Sequence, residues 1–67
     1  MQAKLYALRK EMGYTQSEVA KAINISTNAY LQKEKGSREF TLTEMFNIAN
    51  FFNKELCDIF QPRNITK

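Results

Sequence analysis

Twice the chain sets a threonine three residues ahead of a glutamate with an apolar side chain on either side: Tyr14, Thr15, Glu18, Val19, and again Phe40, Thr41, Glu44, Met45. In this spacing the Thr hydroxyl accepts from the Glu backbone N–H, and the Glu carboxylate accepts from the Thr backbone N–H. Two otherwise orphaned donors are satisfied together, and the outer apolar pair closes over them as a staple. Each box dictates a helix start, and the whole chain has only 67 residues. Short helices joined by tight turns are what such a chain can become.

The remaining signals fill in the order. Met1, Leu5, Leu8 and Met12 recur at helical spacing, so a first helix buries that stripe and stops at Gly13 in the left-handed conformation. The first box opens a second helix, about Gln16 to Ile23, with Val19, Ala20 and Ile23 inward. Asn24 tolerates the left-handed backbone of a tight turn. Ser26 caps a third helix that ends at Gly36, with Ile25 and Tyr30 as its staple, which places Tyr30 in the core. The second box opens a fourth helix, about Leu42 to Phe52, with Leu42, Met45, Phe46, Ala49 and Phe52 inward and Asn53 at its end. ELCDIF forms a short fifth helix using Leu56, Ile59 and Phe60, and Pro62 blocks its continuation. No alternating run is long enough for a strand. The expected architecture is all-α: a compact five-helix domain over residues 1–61 and a short tail over 62–67.

Composition narrows the function classes. A chain this small supports only a modest core, and such chains often lean on a partner, a metal or a disulfide. With no His and one Cys, neither a metal cluster nor an internal disulfide can be assembled, and no cofactor is expected. Cys57 is flanked by Glu55 and Asp58 rather than by the cations that activate a thiol, so it is expected to be a small packing residue. No nucleophile–base pair and no Gly-rich phosphate loop is present, which argues against an enzyme. The net charge of +3 permits a polyanionic partner without demanding one. No apolar run approaches the ~20 residues of a membrane span and the N-terminus lacks a signal-peptide core. A cytoplasmic protein without a membrane partner is expected. No ligand-sensing segment follows residue 67, so any signal is expected to act through a partner or through protein level.

The stretch ISTNAYLQKEKG, residues 25–36, carries the most chemistry. On a helical wheel Ala29, Tyr30 and Lys33 fall to one side. Thr27, Asn28, Leu31, Gln32 and Lys35 fall to the other, within an arc of roughly 140° at ~100° per residue. Asn and Gln each donate and accept, which matches the N6/N7 edge of adenine in the major groove. Thr27 can bond a base edge, Leu31 can touch a thymine methyl, and Lys35 can reach a phosphate. The same side chains also suit a merely solvated face, and taken alone the stretch does not choose. Its context does: a capped helix, a tight turn at Asn24 and a second helix with a bare polar face make a helix-turn-helix unit.

TQSEVAKAINIS followed by TNAYLQKEKG resembles the lambda-repressor-like helix-turn-helix family, the Cro/repressor class of the xenobiotic-response-element type. The matching positions are Thr15, Gln16, Val19, Ala20, Ile25, Ser26, Glu34 and Gly36, and LTEMFNIANFFNKELCDIF resembles the family's last two helices. The resemblance covers about residues 3–60. It implies a DNA-binding regulator, a repressor of phage or bacterial type, acting as a homodimer on a palindromic double-stranded operator. It implies base contacts from Thr27, Asn28 and Gln32. It implies backbone contacts from Gln16, which also braces the third helix, and from Lys35, Ser37 and Arg38, including their backbone N–H groups. It further implies a structural ion pair between Arg9 and Glu34. A protein-binding module of antitoxin or anti-repressor type is the alternative within the same fold. Lys33 occupies a slot that is usually apolar, and its amine is expected to snorkel out, towards a phosphate. The family's habit of dimerising through the end of the fourth helix and the fifth makes Phe51 and Phe60 the candidate interface. Folding of Ile65 back onto Phe51 is the competing account.

Overall fold

In the computed structural model residues 1–60 are described, and the expectations placed on Pro62, on Ile65 and on the tail lie outside them. The described residues form five helices: α1 (Ala3–Met12), α2 (Gln16–Ala22), α3 (Thr27–Lys35), α4 (Leu42–Phe52) and α5 (Leu56–Ile59). No strand occurs among them.

Local chemistry sets each boundary. The Thr15 hydroxyl accepts from the Glu18 N–H at 3.1 Å while the Glu18 carboxylate accepts from the Thr15 N–H at 2.8 Å. Thr41 and Glu44 repeat this at 3.1 and 2.9 Å. Ser26 caps α3 by accepting from the Ala29 N–H. α1 ends on Gly13, α3 on Gly36 and α4 on Asn53, all left-handed. Asn24, at φ 64°, turns the chain between α2 and α3.

The core is built from Leu5, Val19, Tyr30, Ile48 and Ile59, each buried to within about one per cent, with Phe40, Phe52 and Phe60 around them. The Phe40 ring lies 5.8 Å from Tyr30 and 5.6 Å from Phe60, so one aromatic file ties α3 to the chain following α5. Burying large rings is how so short a chain accumulates enough apolar area to fold.

Several inward assignments are corrected. Ile48, absent from the expected stripe, is fully buried, whereas Leu42 and Phe46 are 57% and 50% exposed. The buried face of α4 runs through Met45, Ile48, Ala49 and Phe52, rotated by roughly 45° from the stripe expected at ~100° per residue. Apolar residues cover more than half of this helix's circumference, so periodicity could not choose the face. In α1 Leu5 is buried and Leu8 half-buried, but Met1 precedes the helix and Met12 ends it, and both are exposed. Cys57 is exposed rather than packed. Phe60 is buried against Phe40, so it is not available to a partner. Phe51 is half-buried against Tyr14, with ring centroids 4.9 Å apart.

Candidate nucleic-acid interface

α2 packs on α3 across a turn of four residues. The Ile25 N–H donates to the Ala20 carbonyl at 3.0 Å, which closes the turn over the end of α2. Ile25 enters half-buried and Ser26 starts α3. The inward face of α3 is then fully committed: Tyr30, Lys33 and Glu34 are all buried. On its other face Thr27, Asn28, Leu31 and Lys35 are exposed and Gln32 is half-buried.

Glu34 organises the unit. Its carboxylate accepts from Arg9 Nε at 2.8 Å, Arg9 Nη2 at 3.1 Å, Gln16 Nε2 at 3.0 Å and the Tyr30 hydroxyl at 2.8 Å. Arg9 also donates through Nη1 to the Tyr14 carbonyl at 2.9 Å. One carboxylate thus joins α1, the start of α2 and two turns of α3. Burial pushes the Glu34 carboxyl up, but the hydrogen bonds from Arg9, Gln16 and Tyr30 outweigh it and hold the group below the usual carboxylate range. The hydrogen bond from Arg9 to Glu34 strengthens the guanidinium's hold on its proton. Burial and the bond to Glu34 push the Tyr30 phenol up, so it remains a donor. Every buried charge here is paired, as a low-dielectric interior requires.

The segment after α3 turns on a single acceptor. The Gln32 carbonyl takes the N–H groups of Gly36, Ser37 and Arg38 at 3.0, 2.9 and 3.3 Å. This holds Ser37 and Arg38 one turn from Gln32, with both side chains exposed beside Lys35. It also corrects an expectation: the backbone N–H groups of Ser37 and Arg38 are spent on the helix end, so only their side chains remain to meet a phosphate. Gln16 likewise spends one amide N–H on Glu34, leaving a second N–H on the same nitrogen.

A family model described as Helix-turn-helix matches residues 5–59, most of the chain. The chain belongs to this helix-turn-helix family. Its type is that of the xenobiotic-response-element and Cro/repressor regulators, with the lambda-repressor-like all-helical fold. It is a helix-turn-helix DNA-binding regulator, of a family that is typically non-enzymatic. No curated protein and no solved structure matches it significantly. No helix among the described residues is long and apolar enough to cross a membrane.

Two features of this helix-turn-helix were not read from the sequence. The Tyr30 hydroxyl is one of the donors to Glu34, four residues on, a spacing that puts two side chains on one helix face and could have revealed the pair. The Lys33 amine does not snorkel towards a phosphate. It is buried and bonds both Glu44 oxygens, at 2.7 and 2.8 Å. Glu44 is also the capping residue of α4, so this pair pins α3 to the start of α4. Burial pushes the Glu44 carboxyl up, but the bonds from Lys33 and from the Thr41 N–H hold it below its ordinary value. Nothing in the spacing of Lys33 and Glu44 signals this contact, because it crosses a loop.

Proposed function

We propose that this helix-turn-helix protein is a sequence-specific repressor of phage or bacterial type, acting in the cytoplasm as a dimer on a palindromic operator. α3 enters the major groove, and the half-sites lie about one helical turn apart. Thr27, Asn28 and Gln32 read base edges, the two amides suiting adenine. Gln16, Lys35, Ser37 and Arg38 hold the phosphate backbone, which positions α3 without reading sequence. Lys33 is excluded from that set because its charge is neutralised inside the fold.

One observation carries the reading. α3 commits its inward side chains to the core and to Glu34, yet leaves an uncovered face of Thr, Asn, Leu, Gln and Lys rather than the Glu and Lys that merely solvate a helix. Selection of sites from a random duplex pool at near-physiological salt tests it. An enriched palindrome is the expected result. No enrichment from folded protein would favour the second reading, a protein-binding module of antitoxin or anti-repressor type. The modest charge of +3 and the exposed Leu31 on the same face suit that reading.

A further inference from the structure

Ser17 and Lys21 lie one turn apart on the exposed side of α2. With Asn24, Ile25, Ser26 and Thr27 they line a groove of about 300 Å³ between α2 and the start of α3. The Ser26 hydroxyl is engaged with the Ala29 N–H. The Ser17 and Thr27 hydroxyls and the Lys21 amine have no hydrogen bond or ion pair among the described residues.

No carboxylate lines this groove, and Lys21 is the one charge on its wall. An ammonium beside uncommitted hydroxyls is a donor set for phosphate oxygens. The groove between α4 and α5 differs, because there Glu55 and Asp58 stand beside Lys54 and would repel the same group. A lysine in the last turn of α2 also suits the helix dipole. That role asks for no open groove and no hydroxyl opposite the amine.

The backbone contacts assigned above all gather at the far end of α3. Gln16 is bonded to Glu34, Lys35 is the last residue of the helix, and Ser37 and Arg38 follow it. The start of α3 lies about 12 Å away at ~1.5 Å rise per residue. Phosphates of one strand succeed each other every ~3.4 Å along the duplex axis, so the two ends of α3 meet different phosphates.

We propose that Ser17 and Lys21 hold a DNA backbone phosphate at the start of α3, one that Gln16, Lys35, Ser37 and Arg38 do not reach. The proposal rests on the DNA-contacting reading of α3 and adds a second anchor to it. Anchors at both ends fix the tilt of α3, and with it the height of Asn28 and Gln32 against the bases.

Titration of the full chain with preferred and scrambled duplexes over a salt series tests it. Lys21→Ala is expected to weaken binding to both duplexes by a similar factor and to reduce the slope of log K against log salt by about one. Lys21→Arg keeps the charge and should keep the slope. Ser17→Asp sets a carboxylate beside the phosphate and should weaken binding to both duplexes. All three changes fall at exposed positions, and far-ultraviolet circular dichroism checks that each variant is folded. Phosphate-ethylation interference locates the contact: one ethylated phosphate that blocks wild type should be harmless to Lys21→Ala and still block Arg38→Ala. An unchanged slope for Lys21→Ala, or unchanged binding for Ser17→Asp, overturns the proposal. So does a footprint in which Lys21→Ala and Arg38→Ala lose the same phosphate. The two readings fail differently. A wild type that binds duplexes without preference overturns base reading by α3, and the slope for Lys21→Ala then decides the phosphate contact on any duplex. A wild type that binds no duplex overturns both.

Discussion

Arg9 and Glu34, 25 residues apart in the chain, meet through two parallel hydrogen bonds of 2.8 and 3.1 Å inside the protein. Their side chains retain 7% and 3% of their accessible surface. Removing one partner of such a pair leaves the other as an uncompensated buried charge. Arg9→Met is therefore expected to cost ~3–5 kcal/mol of stability. Urea denaturation of the variant beside wild type measures this, and a loss under ~1 kcal/mol would show that the pair is effectively solvated.

The same carboxylate makes stability depend on acid. Glu34 is held below its ordinary value of 4.5, so its contribution is complete above that pH. It is lost as pH falls through the lower folded-state value. Glu44 is shifted in the same direction and adds to the slope. The urea midpoint is expected to fall steeply below pH 4.5, and Glu34→Gln to flatten that fall while lowering stability at neutral pH. A midpoint independent of pH down to 3 would contradict the account.

The Lys33–Glu44 pair should respond asymmetrically. Glu44→Ala strands a buried ammonium and unmakes the capping box of α4, so it is expected to cost about 3 kcal/mol. Lys33→Met keeps an apolar stem of similar length and leaves Glu44 bonded to the Thr41 N–H and partly in water. Its cost should be much smaller. Thermal melts of the two variants decide the order, and equal losses would mean that the amine itself stabilises the fold.

Gly36 is held by two requirements and Gly13 by one. Both have positive φ, which an L side chain adopts at a cost of about 1–2 kcal/mol. At Gly13 an added Cβ meets nothing within 4 Å, but at Gly36 it would lie 2.9 Å from the Met1 backbone nitrogen. That segment is itself tied down, since the Gln2 N–H donates to the Glu34 carbonyl at 2.9 Å. Gly36→Ala should lower the melting temperature clearly more than Gly13→Ala, and equal shifts would show that the N-terminal segment simply moves aside.

Base reading and backbone holding separate by salt and by sequence. Gln32→Ala is expected to cost ~1–3 kcal/mol on the preferred site and to relax preference at one base position. Arg38→Ala should weaken binding to all duplexes and reduce the slope of log K against log salt by about one. Titrations on preferred and scrambled duplexes over a salt series distinguish them. Equal losses on both duplexes for both variants would show that the roles are misassigned.

The helix order, both capping boxes, the left-handed backbone at Gly13 and Asn24, the helix ends at Gly36 and Asn53, and the polar face of α3 could all be read from the chain itself. These depend on hydrogen bonds spanning three or four residues and on the helical period, so the residues involved are neighbours in sequence. The tertiary structure decided what depends on distant partners. It chose Ile48 over Leu42 and Phe46 as the inward face of α4, because an apolar surplus around one helix leaves the choice to whatever packs against it. It drew the Lys33 amine to Glu44 across a loop. It spent the Ser37 and Arg38 N–H groups on the Gln32 carbonyl, and buried Phe60 against Phe40. In each case the local pattern permitted several outcomes, and the cost of leaving a buried charge unpaired, a helix-end carbonyl unsatisfied or a large ring in water selected one.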